Sequence, residues 1–472
     1  MKLRSYLFPA IVSAIALAGF RAAERPRYGG TLRVEIGASV VSLDPAQGAV
    51  NAAEASAKID LLPLVFETLV VLDANGVPQP GLASSWDHDP SGRRWNFYLR
   101  PGVRFHDGSP LTPSAAVSAL SNVDPSWHVS SSSDAVSIET STPTPDLPFL
   151  LAEPRHALAR RADDGISVGT GLFRTTIWQA GKHAVLSANA DYWAGRPFLD
   201  SVDLTMGIPS QARTIDLQLG KADLVDLPPD MVRRAADDKL RVSVSVPTDL
   251  LALIFESDRR AVQDARVREA LARSIDRAAM VNFILQKQGE AAASLLPEWL
   301  SGTASLFSAS ADPAVAHSLW EHIKPTPALV LGYDSGEALE QSIAERITVN
   351  ARAAGISITT RAITAATRPG DFDVRLVRLR MSSPEPREAL SDLLSALPAA
   401  SSEDVEALPN PASAEEIYIR EREALDGFRV VALVHLPRAY GVGNRVRNWE
   451  IRAGNALGGW QLADVWIEGE AQ

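Results

Sequence analysis

Leu329-Val330-Leu331-Gly332-Tyr333 is a short apolar run, the stretch from about Ser335 to Ala354 reads as a helix, and Ile356-Ser357-Ile358 opens a second strand. A strand, a helix and a strand joined by short connections form a parallel unit, because two parallel strands need a crossover and a helix is the usual one. The same alternation extends outward. Asp264 to Leu285 is the clearest helical pattern in the chain, with Val267, Leu271, Ile275 and Met280 as its buried stripe. Ser210 to Gly220 reads as helix, and Val242 to Val246 as a strand. The fold class expected is therefore α/β.

The first half carries more strands and turns. Thr31 to Ile36 alternates as a half-buried strand does, Ser42-Leu43-Asp44-Pro45 is a turn, and Ile59 to Leu72 reads as a buried helix containing Leu62, Val65, Phe66 and Leu69. Trp95 to Leu99 is a strand that stops at Pro101-Gly102 and resumes at Val103-Arg104-Phe105. Thr112 caps a helix that Pro113 opens. Val185 to Asn189 and Ser201 to Met206 read as strands, whereas Pro384 to Pro411, rich in Ala, Ser, Pro and Glu, gives the weakest pattern.

With 472 residues the chain is too long for one hydrophobic core, so two or more lobes are expected. Its net charge is -11 and no Lys/Arg-rich block stands out, which argues against a nucleic-acid partner, since phosphate binding needs clustered cations. There is no cysteine. Disulfides, thiolate metal sites, cysteine nucleophiles and lipid attachment through an N-terminal cysteine are thereby excluded.

Lys2 and Arg4 precede an apolar stretch from Tyr6 to Ala18 that ends in the small-x-small pattern Ala16-Leu17-Ala18. A cleaved secretory signal over residues 1–18 and a periplasmic location are expected, with a retained anchor as the alternative. The stretch is shorter than the roughly 20 apolar residues a membrane span needs. Cleavage after Ala18 removes two cations and takes the charge from -11 to -11 - 2 = -13.

Several ordered motifs stand along the chain. Tyr28-Gly29-Gly30-Thr31-Leu32-Arg33-Val34 precedes Ser42-Leu43-Asp44-Pro45-Ala46; Phe66-Glu67-Thr68-Leu69-Val70 precedes Pro80-Gly81-Leu82-Ala83-Ser84-Ser85-Trp86. Leu99-Arg100-Pro101-Gly102-Val103-Arg104-Phe105-His106-Asp107-Gly108-Ser109-Pro110-Leu111-Thr112 follows, then Gly169-Thr170-Gly171-Leu172-Phe173-Arg174 and Asn189-Ala190-Asp191-Tyr192-Trp193. Asp264-Ala265-Arg266-Val267-Arg268-Glu269-Ala270-Leu271 ends the series with Ile275-Asp276-Arg277. In order and spacing over residues 28 to about 300 the chain resembles the peptide/nickel class of extracellular solute-binding proteins, family 5, which serve ABC importers.

The resemblance implies a two-lobed α/β periplasmic binding protein of type II with a ligand cleft between the lobes. By analogy, residues 28–249 form the first lobe, including a subdomain at about 61–165, residues 250–428 the second, and 429–472 return to the first, with hinge strands at both ends of the second. It further implies a monomer without cofactor or catalysis that captures a small molecule or peptide and delivers it to a membrane permease driven by an ATPase. Between Leu120 and Gly169 the chain is shorter than is usual in the family, so a small ligand or a more open cleft is expected. The rival readings are a binding protein detached from transport, acting as sensor or scaffold, and, remotely, a hydrolase. No HExxH motif and no cysteine nucleophile is present, which argues against the latter.

The residues of the ligand region depart from that pattern. In peptide-binding members a second-lobe Asp pairs with the ligand's amino terminus. Matching Phe372-Asp373-Val374 and Pro384-Glu385-Pro386 to that segment puts Ser382 at its position, and an Arg of some oligopeptide binders falls on Leu376. Serine cannot neutralise a buried ammonium, so ordinary peptide binding is in doubt. Arg375, Arg378 and Arg380 stand nearby, and regular alternation puts Leu376, Arg378, Arg380 and Ser382 on one face. Two readings are open: Arg378 or Arg380 enters the cleft and selects a carboxylate or other anion, or these side chains are solvated. Three further motifs read as structural: His106-Asp107 as a turn rather than a metal pair, Gly169-Thr170-Gly171 as a turn entering a strand, and Asp264 as a helix cap whose neighbours Arg266 and Arg268 make local pairs.

Overall fold

The computed structural model describes residues 25–73, 76–121, 126–161, 167–256, 258–303, 308–334, 336, 338–364, 367–368, 370–381, 383–397, 408–409, 412–449, 451 and 459–469. The expected signal segment, residues 1–18, lies outside them. Among the described residues, no helix is long and apolar enough to cross a membrane.

A mixed sheet organises the molecule. In spatial order it runs through Phe173–Gln179, His183–Ala188, Ser201–Thr205, Thr31–Glu35, Leu224–Leu227, Val430–Val442, Arg241–Phe255, Val374–Arg380, Leu329–Asp334 and Ile358–Ile363. The expected parallel unit is present: Leu329 pairs with Ile358 and Asp334 with Ile363, and the helix Ala338–Ala353 makes the crossover. Leu339, Ile343, Ile347 and Ala351 recur at helical spacing on its buried face.

The apolar residues gather into separate cores, which makes the molecule two-lobed. One core holds Leu32, Phe173 and Leu204 with Tyr440 and Trp460 from the C-terminal part; another holds Leu251, Leu271, Ile343, Leu376 and Leu433. The two longest strands run between them, paired antiparallel from Arg241 opposite Val442 to Ile254 opposite Val430. Their register is irregular between Val244 and Asp249, where Pro247 faces Pro437. Neither proline has an N–H to donate, so the ladder is interrupted on both strands at one level, where bending disturbs few hydrogen bonds.

Two helix expectations are corrected. The helix expected over Ile59–Leu72 runs instead over Ala52–Val65, with Asn51 capping it through the Glu54 N–H, and Phe66 is already extended at φ -122 and ψ 141. Phe66 and Leu69 are buried in extended chain, and a continuous apolar run cannot distinguish that from helix. The pattern from Asp264 to Leu285 breaks after Ala265–Ser274: Ile275 is extended, and Asp276 caps a new turn by accepting from the Ala279 N–H. Both pieces face the same core, which is why Val267, Leu271, Ile275 and Met280 are all buried. Val103–Phe105 makes only an isolated bridge, Arg104 with Pro110, rather than a resumed strand.

Separated motifs converge on Glu67. Its carboxylate accepts from Thr170 Oγ1 at 2.7 Å, Tyr192 OH at 2.7 Å and Trp193 Nε1 at 3.0 Å, while the Arg100 guanidinium stacks 4.1 Å from the Trp193 ring centre. Burial pushes the Glu67 carboxyl up, and these three donors pull it back down. Gly169 and Gly171 are required for packing, since a Cβ on either would fall within 3 Å of the Val65 backbone.

Candidate functional site

A cavity of about 410 Å³ lies between the two lobes. The helix Ala52–Val65, Arg213 and Asp226 line it from one side, and Asp334, Leu376 and Arg378 from the other. A larger space of about 920 Å³ lies beyond Asp60, Arg438 and Trp460, but apart from Arg380 it is lined by residues before Val246 and after Pro437. A ligand that drives lobe closure must touch both lobes, which selects the smaller cavity.

The strand Val374–Arg380 carries the expected arginines to this cavity. Val374 and Leu376 are buried in the second-lobe core, and the same strand face then emerges at Arg378 and Arg380. Arg378 Nε and Nη2 each lie 2.8 Å from Asp249 Oδ2, and Thr248 Oγ1 donates to the other oxygen at 3.0 Å. Arg380 Nη1 donates to Asp60 Oδ1 at 3.0 Å and to the Ser56 carbonyl at 2.8 Å. Arg375 pairs with Glu256. Both Arg378 and Arg380 thus reach the cleft, where each is matched to a carboxylate of the chain itself. Ser382 lies outside the described residues.

Asp60 is engaged through both carboxylate oxygens. Its second oxygen accepts from Arg438 Nη2 at 2.6 Å and Tyr440 OH at 2.9 Å, and Trp460 Nε1 donates to that hydroxyl at 3.1 Å. Burial pushes the Asp60 carboxyl up to about 6 against the pull of Arg438 and Tyr440. Burial works against the Arg438 guanidinium, yet the facing Asp60, Tyr440, Asp249 and Asp226 hold its pKa above the ordinary arginine value. Farther along, Arg213, almost fully buried, pairs with Asp226 at 2.9 Å. Among the described residues, the charged lining comprises five arginines (213, 375, 378, 380 and 438) and five carboxylates (Asp60, Asp226, Asp249, Asp334 and Glu340), a formal sum of zero.

Sequence reading found Arg378 and Arg380 but missed Asp60, Asp249 and Arg438. A signal was there for two of them. Asp60 interrupts the apolar run from Ile59 to Leu62, and Arg438 follows the apolar strand that begins at Val430. A charge embedded in such a run is either paired or pKa-shifted.

The other singled-out motifs have structural contacts. His106 Nε2 lies 3.0 Å from the Gly171 carbonyl, and Asp107 bonds to Ser109 and pairs with Arg160. Asp264 caps its helix by accepting from the Arg266 N–H, and Arg268 donates to the carbonyls of Gly427, Val262 and Gln263. Among the described residues, no three His, Asp or Glu side chains are grouped to hold a metal ion.

Residues 77–401 match the bacterial extracellular solute-binding proteins, family 5 (middle region). The chain belongs to that family. Over 256 residues this family 5 protein is 28% identical to Protein XP55 of Streptomyces lividans, covering 49% of this chain and 47% of that one, so it spans about half of that relative. It is 24% identical over 383 residues to the nickel-binding periplasmic protein of Escherichia coli, covering 70% of this chain and 72% of the other. The Escherichia coli murein tripeptide binding protein MppA shares its fold, with a TM-score of 0.79 at 20% identity over 93% of this chain and 98% of that one.

Proposed function

We propose that this chain is the periplasmic substrate-binding component of an ABC importer, a non-catalytic monomer that captures a small solute between its lobes and presents it to a membrane permease and ATPase. The observation that carries the reading is the 410 Å³ cavity lined from both lobes beside a proline-faced strand pair. Ligand pockets run from about 300 to 1,000 Å³, so the volume favours a solute no larger than a short peptide. In this reading residues 1–18 are a cleaved signal, 28–249 with 429–472 form the first lobe with a subdomain at about 61–165, and 250–428 form the second.

Relatives named for binding nickel and a murein tripeptide set the range of solutes to test. A solute that binds only the folded state raises its melting temperature by mass action. Thermal-shift measurement across dipeptides, tripeptides, sugars and metal chelates, with native mass spectrometry of the purified protein, tests the reading. At least one saturable shift is expected.

A second reading, a binding protein detached from transport and serving as sensor or scaffold, is favoured by the internal pairing of the cleft arginines. A further ion pair joins distant parts of the chain, with Arg387 2.7 Å from Asp146. A panel without any shift favours this reading over the first.

A further inference from the structure

We infer that Asp60 is a built-in anion, holding within the chain the position at which the cleft would otherwise receive an acidic group of a solute, and tying the two lobes together as it does so. The inference rests on the binding reading above and names the solute class it admits: uncharged or cationic, not acidic.

Asp60 sits inside the helix Ala52–Val65, away from the capping position that Asn51 fills, and is 2% exposed. Aspartate has no advantage inside a helix and a large desolvation cost when buried, so its place must be explained by its partners. Those partners converge from distant parts of the chain. Arg380 comes from the second lobe, and Arg438 and Tyr440 come from the returning strand. Two guanidiniums and a phenol hydroxyl directed at one carboxylate are the donor set of an anion site.

Asp249 and Asp226 also face Arg438, but each is hydrogen-bonded elsewhere. Asp249 is held by Arg378 and Thr248, and Asp226 by Arg213. Without Asp60, Arg380 and Arg438 would lose the carboxylate they share, and both are largely buried. An acidic solute entering here must either displace Asp60 from its donors or add a third carboxylate beside the buried Asp60 and Asp249, which already repel each other. The link between lobes follows from the same contacts: the Arg380 guanidinium bonds both the Asp60 carboxylate and the Ser56 carbonyl of the first-lobe helix. A ligand closes a two-lobed protein by contacting both lobes, and Asp60 does this from within the chain.

Chemical rescue tests the anion site without any knowledge of the solute. In Asp60→Ala, sodium formate is expected to raise a lowered melting temperature along a saturating curve, with sodium chloride at equal ionic strength as control and no such curve in the unsubstituted protein. A response to formate that chloride reproduces overturns the proposal. Should Asp60→Ala not fold, Asp60→Asn keeps the side-chain shape and removes the charge, and the lobe separation is read instead. The chain has no cysteine, so the exposed positions Ile177→Cys and Val349→Cys can carry a dye pair for single-molecule energy transfer. Asp60→Asn is expected to move population to a more separated state, and a distribution unchanged from that of the unsubstituted protein overturns the link. Neither measurement contains a solute, so an unresponsive solute panel and a failed rescue are separate results.

Discussion

Asp249 and Arg378 form a closed pair at the cleft wall: the carboxylate is 2% exposed, and the guanidinium reaches it with two nitrogens at 2.8 Å from the adjacent antiparallel strand. A pair of this kind adds little when intact, because desolvation consumes most of the attraction, but it is costly to break from one side. Arg378→Ala is therefore expected to destabilise the protein by about 3 kcal/mol, the low end for a buried pair broken from one side, because Arg438 still faces Asp249. Adding Asp249→Asn should restore most of the loss. Urea midpoints of the single and double variants measure this. A cost below about 0.5 kcal/mol, the range of ordinary surface substitutions, would mean that Arg378 carries no such duty.

Glu67 makes a different prediction because its partners are neutral donors. Glu67→Ala leaves Thr170, Tyr192 and Trp193 without their shared acceptor, each at about 1–3 kcal/mol, so a loss of at least about 3 kcal/mol is expected. Tyr192→Phe removes one hydroxyl together with its need for a partner and should cost only about 1 kcal/mol. Equal costs for the two variants in chemical denaturation would contradict a hub centred on the carboxylate.

These two residues also show what was legible in the sequence. Periodicity captured the parallel unit at Leu329–Ile363 and the alternating strands, because each residue's burial there follows from its own position. It misread Ile59–Leu72, where Phe66 and Leu69 are buried in extended chain with the same composition a helix would show. Glu67 stood in a motif whose neighbours Thr170, Tyr192 and Trp193 are more than a hundred positions away, so the motif was visible and its meaning was not. The cleft followed the same rule. The alternation that placed Arg378 and Arg380 on one face is local, but the identity of their partners, Asp249 and Asp60, depends on strand register and on a helix of the other lobe. Local pattern names the groups that enter a site, and only long-range topology says what they meet there.

Gly169 offers a steric test of the junction between motifs. A Cβ at this position would lie 2.1 Å from the Val65 carbonyl oxygen, in a segment where the Gly171 N–H also donates to that oxygen at 3.0 Å. Backbone cannot yield as a flexible side chain can, so Gly169→Ala must move the end of the helix Ala52–Val65 or the strand that begins at Phe173. Overpacking typically costs about 1–3 kcal/mol. The upper part of that range is expected here, with broadened thermal transitions, and Gly48→Ala is the control because open space surrounds that position and its backbone is not left-handed. A Gly169→Ala variant as stable as the parent would show that this contact relaxes freely.

Glu421 gives the pH dependence a definite sign. It lies buried on the helix Ala414–Leu425 and accepts from the Leu296 N–H at 2.8 Å. Burial pushes its carboxyl up to about 7, against the lowering effect of the Leu296 and Leu295 backbone hydrogen bonds. In the unfolded chain a glutamate titrates near about 4.3, so between those values the folded state binds the proton more tightly. The contribution of this group to stability is therefore greatest in acid, falls as pH rises through that window, and is at its least favourable above about 7. Glu421→Gln keeps a carbonyl acceptor for Leu296 and cannot ionise. It should leave stability near the parent's at pH 4 and raise it by about 1–3 kcal/mol at pH 8, each pKa unit being worth about 1.4 kcal/mol. Denaturation midpoints at the two pH values decide the matter, because a structural effect of the amide alone would shift both equally.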